Sequence, residues 1–382
     1  MKKIPPFDLT EQYKVIAEEI NTAVSKVLAS GSYIGGSQVE GFEQQFANYI
    51  GTEHCIACNS GTDALYLALR ALNIGPGDEV ITTPFTFVAT AETITAVGAT
   101  PVFVDIDAQT FNLSLEQVEA AITERTRAIV PVHLFGMPVD MTRLLAIAQT
   151  YHLTVIEDCA QATGAEWAGQ KVGSIGHIGC FSFYPTKNLG ACGDGGAVTT
   201  HDLAIAGRIR RLRDHGRKGG YYYEELGVNS RLDAVQAAIL QIKLRYLDTW
   251  NCQRQAIAQR YQQFLASIPG ITLPQEVAGG RTVWNQYTIR VLEQPAKPGP
   301  SFRDPSFRDI VRQRLQEQGV QSMVYYPLPL HLQPVYSHLG YQPGQLAVAE
   351  QASREVLSLP MFPELSAEQQ DQVIYCLKDS LL

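Results

Sequence analysis

Hydrophobic and polar residues change their spacing along this chain of 382 residues, and the change predicts a mixed α/β fold. Residues 13–29 and 39–49 have helical spacing, in which apolar side chains recur every three or four positions. From residue 54 onward, short apolar runs such as HCIAC, DEVITT and LTVIED alternate with helical stretches. Alternation of this kind is typical of a mostly parallel sheet that helices cover on both faces.

The pattern changes again in the C-terminal part. The segment 232–268 predicts one long helix, or two in series, with the length to link two domains. Beyond it, WNQYTIRVL is strand-like, whereas RDIVRQRLQEQG and QQDQVIYCLKDSL are helical. We therefore expect a large α/β domain over residues 1–245 and a smaller α+β domain over residues 246–382. The Pro-rich segment 293–307 is expected to be a surface loop.

Composition and charge argue against several classes of function. A formal net charge of −8 disfavours general nucleic-acid binding, which needs clustered Lys and Arg. We expect neither a signal peptide nor a membrane helix, since no apolar window approaches the roughly 18 residues that a span needs. The seven scattered cysteines indicate reduced thiols and hence a cytoplasmic protein. Cys55 and Cys58 have metal-like spacing, but without a second pair we expect two small residues in a buried strand.

Polar residues follow several of the predicted strands, at the sheet edge where open α/β folds bind ligands. The run NSGTD at 59–63 follows the strand HCIAC and opens a helix. Free N–H groups at a helix start, a close approach at Gly61 and the Thr62 hydroxyl suit a phosphate group. For this run alone, an ordinary helix cap by Ser60 or Thr62 is the plainer interpretation.

Three more strand ends carry polar or aromatic candidates. The run TPFTF at 83–87 can cover a flat ring with an aromatic side chain, although most phenylalanines pack in a core. Asp158 ends the run LTVIED, with Gln161 one turn later. Asp158 can bind a protonated ring nitrogen, although capping a helix is the plainer role for it. Asp105 and Asp107 in VFVDID are expected to be turn residues, since no third ligand with suitable spacing supports a metal.

Lys187 lies in the run GCFSFYPTKNLGACGDGGA, after an apolar strand and among glycines. A lysine on a loop is usually solvated, but one withdrawn from water loses proton affinity and becomes a better nucleophile. Such an amine can bond covalently to an aldehyde, while a buried carboxylate such as Asp158 can hold a positive charge on a heteroaromatic nitrogen. These are the two protein groups that pyridoxal phosphate (PLP) chemistry needs most.

At these motifs the chain resembles the DegT/DnrJ/StrS-type sugar aminotransferases, which are PLP enzymes of fold type I. The resemblance covers essentially the whole length. It includes SGTDALYLAL and GPGDEVITTPFTFVATAE. It also includes VIEDCAQATGA, FSFYPTKNLGACGDGGA and GVNSRLDAVQAAIL, which have the order and spacing of the family. The resemblance implies a mostly parallel seven-stranded sheet flanked by helices, a smaller C-terminal α+β domain, PLP as cofactor and no metal.

The resemblance also implies a role for each motif residue. Lys187 matches the lysine that holds the cofactor covalently and moves protons, and Asp158 matches the partner of the pyridine nitrogen. Asn229 matches a phosphate ligand that the other subunit supplies, which implies a homodimer with shared active sites. The other implied contacts are Gly61, Thr62, Asp63 (through backbone) and Ser182 around the phosphate, Phe87 (with Phe85 the weaker candidate) on the ring, and Gln161 on the phenolic oxygen.

The implied reaction moves an amino group from L-glutamate to a nucleoside-diphosphate keto-hexose, for amino-sugar and polysaccharide biosynthesis. The candidate substrate residues are Tyr184, Arg231, Tyr326 and His331, although His331 could equally lie on the surface. A helix bearing Arg208, Arg210, Arg211 and Arg213 is a further candidate for the pyrophosphate, with a solvated or intersubunit role as the plainer interpretation. The run HGRKGGYYYEELGVNSRLD is most similar to members that aminate C3 of UDP-linked 3-keto uronates, but Tyr325 departs from the histidine expected there.

Several alternatives stay open. The substrate can be a dTDP-linked 3-keto-6-deoxyhexose, a 4-keto sugar or a free cyclitol. A PLP lyase or desulfurase would need a reactive cysteine near the cofactor, where Cys159 and Cys192 are expected to be packed. A PLP-binding regulator without turnover would need an attached DNA-binding segment, which the pattern does not indicate. Family members that act as dehydratases carry histidine in place of Lys187, so this lysine favours transamination.

Overall fold

The structure is a computed structural model that describes residues 3–292 and 306–382. The predicted surface loop at 293–307 lies outside the described residues, apart from Ser306 and Phe307, which cap and begin a helix.

The α-helices are α1 (Thr10–Ser30), α2 (Gly36–Ile50), α3 (Gly61–Ala71), α4 (Ala89–Ala96), α5 (Leu115–Val118), α6 (Met141–Thr150), α7 (Leu203–Leu212), α8 (Ala234–Leu244), α9 (Leu247–Leu265), α10 (Phe307–Glu317), α11 (Ala347–Glu355) and α12 (Ala367–Ser380). The strands are β1 (His54–Cys58), β2 (Glu79–Thr82), β3 (Thr100–Phe103), β4 (Thr126–Val130), β5 (Thr154–Asp158), β6 (Glu166–Trp167), β7 (Gln170–Lys171), β8 (Ile178–Ser182), β9 (Gly196–Thr200), β10 (Arg217–Gly219), β11 (Tyr222–Tyr223), β12 (Ile271–Thr272), β13 (Gly280–Arg281), β14 (Tyr287–Val291) and β15 (Val356–Leu359).

Seven of the described strands form one sheet, in the order β1-β9-β8-β5-β4-β2-β3. The pairs β2–β3, β2–β4, β4–β5 and β5–β8 are parallel. Strand β9 runs antiparallel to both of its neighbours, β1 and β8. The predicted α/β fold with a mostly parallel, seven-stranded sheet is therefore confirmed.

Alternating side chains bury both faces of this sheet. In β1, Cys55 and Ala57 pack on the face that carries Phe46 of α2, whereas Ile56 and Cys58 pack on the opposite face with α3. Successive side chains of a strand point to opposite faces, so an odd separation places the two cysteines on different sides. Both are free thiols whose pKa is raised by burial. This pair is therefore two small core residues, as expected, and not a metal or redox site.

Strand β4 is shorter than the apolar run RAIVPVHLF suggests. It ends at Val130, since Pro131 has no N–H to donate to a neighbouring strand. The run then turns through a 3-10 segment, Leu134–Gly136, in which Phe135 has a φ of +59°. This turn brings the backbone of Phe135 to the sheet edge, where it contacts the site described below.

The C-terminal part has a core of its own. An antiparallel sheet, β12-β14-β15, packs against α9, α10 and α12 around side chains such as Tyr287. The N-terminal residue Ile4 joins this core and pairs with Val320. We propose on this basis that the chain divides into a large domain, residues 1–245, and a small domain, residues 246–382, with the segment at Ile4 packed on the small domain.

Two helices in series, α8 and α9, connect the two parts. They meet at Arg245 and Tyr246, so the segment 232–268 is a pair of helices and not one long helix. None of the helices in the described ranges combines the length and the apolar character needed to cross a membrane.

Candidate active site

A cleft of about 470 Å³ lies beyond the carboxyl ends of β1, β2, β5 and β8, where the sequence predicts ligand binding. Gln286, Tyr325 and Tyr326, from the C-terminal part, line it together with residues that follow those strands. The predicted site residues that line this cleft are Gly61, Thr62, Phe87, Asp158, Gln161, Ser182, Tyr184, Lys187 and Tyr326. Those that lie outside it are Asp63, Asn229, Arg231 and His331.

The N-terminus of α3 forms one end of the cleft. Ser60 caps this helix, because its side-chain oxygen accepts the N–H of Asp63 at 3.1 Å. Among the described residues, the N–H groups of Gly61 and Thr62 have no hydrogen-bond partner. Free N–H groups at a helix start, with the Ser182 hydroxyl beside them, suit a phosphate. The run NSGTD therefore contains both the helix cap and two free N–H groups, and the N–H of Asp63 belongs to the cap.

Gly61 allows α3 to lie against β8. A Cβ at this position would come within 2.6 Å of the Cβ of Ser182, far inside the normal contact distance of two carbon atoms. Because that side chain is missing, the free N–H groups of the helix and the Ser182 hydroxyl converge on the same end of the cleft.

The Gly61→Ala variant is expected to bind PLP roughly tenfold more weakly, because overpacking costs about 1–3 kcal/mol and must push α3 away from β8. Titration of the apoprotein with PLP measures this affinity. Gly207→Ala is the matched control, since a Cβ on that helical glycine meets nothing nearer than 3.9 Å. Unchanged PLP affinity in Gly61→Ala would show that this close approach does not shape the anion site.

Asp158 lies at the end of β5, where both carboxylate oxygens are fixed. Oδ1 accepts the N–H of Ala160 at 3.1 Å, and Oδ2 accepts the hydroxyl of Thr90 at 2.8 Å. Burial raises the pKa of this carboxyl, while the two hydrogen bonds and the charge of Lys187 act in the opposite direction. The result is an oriented, buried acid that suits a cationic N–H donor.

Lys187 lines the same cleft as Asp158. Within the described ranges its Nζ has no hydrogen-bond or ion-pair partner. Burial lowers the pKa of this amine to about 8, while the carboxylate of Asp158 opposes the shift. About half of the amine is therefore uncharged at pH 8, whereas an ordinary lysine would be less than about 1 % uncharged. The side chain is thus prepared to act as a nucleophile and a proton acceptor.

The Gln161 amide has a fixed orientation in the cleft. Its Oε1 accepts the N–H of Phe135 at 2.7 Å, and its Nε2 donates to the hydroxyl of Tyr326 at 3.1 Å. Burial raises the pKa of Tyr326, so this hydroxyl stays protonated and available as a donor. The amide and the phenol together form a polar corner that suits a phenolic oxygen.

The aromatic residues of the cleft separate into buried and open side chains. Phe87 is 57 % exposed and lines the cleft, whereas Phe85 is fully buried and packs against Phe111. Phe87 is therefore the side chain placed to cover a flat ring, in the order of preference that the sequence suggests. Tyr184 and Tyr325 stand at the cleft as well, with Tyr184 54 % exposed.

The expectation for His331 is corrected by the structure. This histidine is 1 % exposed, and its Nε2 pairs with Glu350 at 3.1 Å, so it is neither a surface residue nor a lining residue of the cleft. Burial lowers the pKa of the ring, although Glu350 opposes that shift. His331 is a packed core residue in a 3-10 turn, Leu330–Leu332.

Asn229 and Arg231 lie on the segment that follows the hairpin β10–β11, away from the cleft of their own chain. Asn229 is exposed, and its backbone forms an isolated antiparallel β-bridge with Asp214. Arg231 forms an ion pair with the side chain of the same aspartate at 2.8 Å. Neither residue is a lining residue of the cleft of its own chain.

Three of the four arginines on or just after α7, namely Arg208, Arg211 and Arg213, form ion pairs within the chain. Arg208 pairs with Glu225 at 3.0 Å, and Arg213 pairs with Glu43 and with the carbonyl of Ala57. These contacts fix the helix to its surroundings, and none of its arginines is a lining residue of the cleft.

Two contributors to the cleft are missing from the sequence-based expectations. Thr90 orients Asp158 from the first turn of α4, and Gln286 lines the cleft from the segment before β14. The Oε1 atom of Gln286 is buried without a partner among the described residues. The run TPFTFVAT contains the signal for Thr90, because a threonine one turn after a strand end faces the same edge. Nothing local distinguishes Gln286.

A buried cluster of His133, Glu157 and Cys159 has the donor set of a metal site. Its polar atoms are already engaged, however. The Nδ1 of His133 accepts the N–H of Val139 at 3.0 Å, and Glu157 accepts that of Gly173 at 2.9 Å as well as the imidazole at 3.0 Å. The cluster therefore anchors the backbone around β5 and leaves the donor atoms of His133 and Glu157 committed.

Asp105 and Asp107 behave as turn and cap residues. The carboxylate of Asp105 accepts the N–H groups of Val348 and Ala349 at 2.9 Å, at the start of α11. Asp107 accepts the N–H of Thr110 at 2.9 Å within its own turn. Asp107 is therefore a turn residue, as the sequence predicts, whereas Asp105 caps a distant helix instead.

The residues of the cleft fit PLP at each end. The free N–H groups at α3 and Ser182 would hold the phosphate, and Asp158 would meet the ring nitrogen. Phe87 would cover the ring, the Gln161 amide would meet the phenolic oxygen, and the unpaired amine of Lys187 would attach the aldehyde.

Known proteins are similar in sequence to this chain over nearly its whole length. The profile of the DegT/DnrJ/EryC1/StrS aminotransferase family matches residues 14–378. A relative from Geobacillus stearothermophilus, described as a pleiotropic regulatory protein, is 49 % identical and covers 97 % of this chain and 96 % of its own.

Two further relatives are named for their reactions. A UDP-N-acetyl-3-dehydro-alpha-D-glucosamine 3-aminotransferase from Acidithiobacillus ferrooxidans is 45 % identical over 99 % of this chain and 98 % of its own. A dTDP-3-amino-3,4,6-trideoxy-alpha-D-glucose transaminase from Streptomyces venezuelae is 43 % identical over 99 % of this chain and 96 % of its own.

Solved structures share the fold. The S. venezuelae protein DesV in complex with a ketimine intermediate is 43 % identical, with a TM-score of 0.94 over 100 % of this chain and 99 % of its own. The Bacillus subtilis protein NtdA with bound cofactor PMP is 34 % identical, with a TM-score of 0.88 over 100 % of this chain and 86 % of its own. With its cleft, its fold and a sequence match over residues 14–378, the chain belongs to the DegT/DnrJ/EryC1/StrS aminotransferase family.

Proposed function

We propose that the chain is a PLP-dependent aminotransferase that moves an amino group from L-glutamate to a nucleoside-diphosphate keto-hexose, with a UDP- or dTDP-linked 3-keto sugar favoured. The observation that carries this proposal is the placement of an unpaired amine, Lys187, and a buried acid, Asp158, in one cleft with the free N–H groups of α3.

The proposed roles follow from the contacts of each side chain. Bound in the cleft, PLP supplies an electron-withdrawing ring that accepts the electron pair from a C–H bond of the amino donor. Asp158 holds a positive charge on the ring nitrogen, since its Oδ atoms are fixed by Ala160 and Thr90. Lys187 would take the proton from that carbon on Nζ and later give the same proton up again, and its lowered pKa permits both transfers.

Other groups in the cleft are proposed to bind the phosphate of PLP and to shield its ring from water. The N–H groups of Gly61 and Thr62, with the Ser182 hydroxyl, are proposed to hold the phosphate; Asp63 contributes by completing the helix cap. Phe87 covers one face of the ring and keeps water from it.

We also propose a homodimer with shared active sites. Among the lining residues that the structure describes, Lys187 is the one cationic side chain, which is too little for a pyrophosphate. Asn229 and Arg231 lie outside their own cleft, beside a hairpin whose Tyr221 is 91 % exposed. A two-fold dimer that seats this hairpin against the second copy would bring an amide and a guanidinium to the partner's cleft.

A mixing experiment tests this sharing. Chains carrying Lys187→Ala and chains carrying Asn229→Asp are each expected to be nearly inactive, the second because a carboxylate would face the phosphate. Randomly reassorted dimers should regain roughly a quarter of wild-type activity, because half are hybrids and each hybrid has one intact site. If the mixture stays at the level of the separate variants, Asn229 does not act in the partner.

The sugar is proposed to lie between Tyr184 and Tyr326, with Arg231 of the second copy on the pyrophosphate. The UDP-linked and dTDP-linked names of the relatives at 45 % and 43 % identity support a nucleotide 3-keto sugar. A 4-keto sugar and a cyclitol remain the alternatives. Assays with glutamate and a panel of nucleotide keto-sugars and a free keto-cyclitol, which follow the formation of 2-oxoglutarate, separate these cases. Activity on the free cyclitol alone would contradict the proposal of a nucleotide-linked substrate.

Regulation without turnover is the second candidate, because the relative at 49 % identity is described as a regulatory protein. The oriented acid and unpaired amine favour turnover, and formation of 2-oxoglutarate decides between regulation and turnover.

A PLP lyase is less well supported. Cys159 is buried with a pKa raised by that burial, and Cys192, although exposed instead of packed as expected, is not a lining residue. The seven free thiols support a cytoplasmic location.

A further inference from the structure

A chain of buried asparagine amides lies directly behind Lys187. Asn188, the next residue, is 4 % exposed. Its Nδ2 donates to the Oδ1 of Asn251 at 2.7 Å and to the carbonyl of Val283 at 2.8 Å, and its Oδ1 accepts from the Nδ2 of Asn285 at 2.8 Å. Both N–H donors and the carbonyl of this amide are therefore engaged, which fixes its orientation.

The ends of this network reach three residues that line the cleft. Asn188 follows Lys187, and Asn285 precedes Gln286. The Nδ2 of Asn251 donates to the carbonyl of Thr163 at 3.2 Å, two residues beyond Gln161. Hydrogen bonds beneath the cleft thus connect residues from three distant segments of the chain.

A second route closes the network into a loop. The N–H of Asn285 donates to the carbonyl of Phe135 at 2.9 Å. The N–H of the same Phe135 donates to the Oε1 of Gln161 at 2.7 Å. Buried networks whose members are engaged on several sides are rigid, so a shift at one node is resisted by the others.

Lys187 depends on this support because its own amine has no partner among the described residues. Its backbone N–H donates to the carbonyl of Tyr184 at 2.9 Å, and the next anchor along the chain is the Asn188 amide. The place of Nζ in the cleft is therefore set through the backbone of Lys187, which its own N–H anchors on one side and the buried Asn188 side chain on the other.

We propose that Asn188 is a positioning residue, which through Asn251 and Asn285 fixes Lys187 relative to Gln161 and Gln286. The inference rests on the role proposed above for Lys187. Misplacement of a reacting group by about 1 Å can cost on the order of 10²-fold in rate, so a network of this kind bears directly on turnover.

The test uses Asn188→Ala and Asn251→Ala, with Gln370→Ala as the matched control. Gln370 is equally buried and donates to the carbonyl of Ile257 at 3.1 Å, in the small domain and outside the cleft. In the apoprotein, peptide mass spectrometry measures how acylation of Lys187 depends on pH. The midpoint of this dependence reports the surroundings of the amine and requires no turnover. In the holoenzyme, kcat and KM for glutamate are measured separately.

Both network variants are expected to lower kcat roughly 10- to 100-fold, with the KM for glutamate within about threefold. The acylation midpoint of Lys187 should rise from about 8 toward that of an ordinary lysine, since a loosened side chain gains water. The double variant should lose little more than the worse single variant, because the two residues share one hydrogen bond. Gln370→Ala should lower the melting temperature and change neither readout.

Two outcomes overturn the inference. The first is that folded Asn188→Ala keeps both the wild-type acylation midpoint of Lys187 and the wild-type kcat. If Asn188→Ala does not fold, the same result in Asn251→Ala overturns the inference. The second is an equal effect in Gln370→Ala, which would make the loss a general consequence of stability. Borohydride reduction of each holoenzyme separates this failure from that of the proposed function. Cofactor on a lysine other than Lys187 would contradict the proposed function and, with it, the inference, whereas cofactor on Lys187 without an effect of the network variants would contradict the inference alone.

Discussion

Replacing Lys187 with alanine is expected to abolish transamination, with kcat falling on the order of 10⁴-fold, because the variant loses both the covalent anchor and the proton carrier. The cleft leaves no substitute, since Lys187 is the one cationic side chain among the described residues that line it. Initial rates of 2-oxoglutarate formation measure the loss. The visible absorbance of the covalently attached cofactor should disappear with it.

The control for this variant is Lys378→Ala, at an exposed lysine of α12. It should retain the wild-type rate and absorbance. A Lys187→Ala protein that transaminates at near wild-type rate would rule out this residue as the attachment point, and with it the proposed mechanism.

Asp158→Asn is expected to give the second-largest effect, a fall in kcat of about 10²- to 10³-fold with PLP still bound. The substitution keeps the shape of the side chain but removes the charge opposite the ring nitrogen, and breaking a buried charge pair costs about 3–5 kcal/mol. Steady-state kinetics together with PLP titration separate the loss of turnover from loss of binding.

Asp105→Asn is the matched control, because Asp105 is likewise a 4 % exposed aspartate that accepts backbone N–H groups, but lies outside the cleft. It should lower the melting temperature and preserve kcat. If the two variants lose turnover equally, the charge at Asp158 has no special role.

Much of the seven-stranded sheet and its helices could be predicted from local patterns. The alternation in HCIAC and the following helix appear as β1 and α3, and the polar residues placed after the strands meet at one edge, as strand direction requires. Gly61 and Lys187 could be singled out because the chemistry of each is visible in a run of ten or twenty residues.

The rest depends on contacts between distant parts of the chain. Tyr326 meets Gln161 across 165 positions, and the Asn188 amide meets Asn285 across 97, so neither contact has a local signature. An asparagine in a glycine-rich loop is typical of a turn, and only the fold shows that this one is buried. The burial of His331 has no local signature either, since its Nε2 pairs with Glu350 of α11, 19 positions away.

The most direct measurement is borohydride reduction of the PLP-loaded protein, followed by digestion and peptide mass spectrometry. We expect the reduced cofactor on Nζ of Lys187 and on no other lysine. Cofactor on a different lysine, or none fixed to the chain at all, would contradict the claim that this cleft holds PLP covalently opposite Asp158.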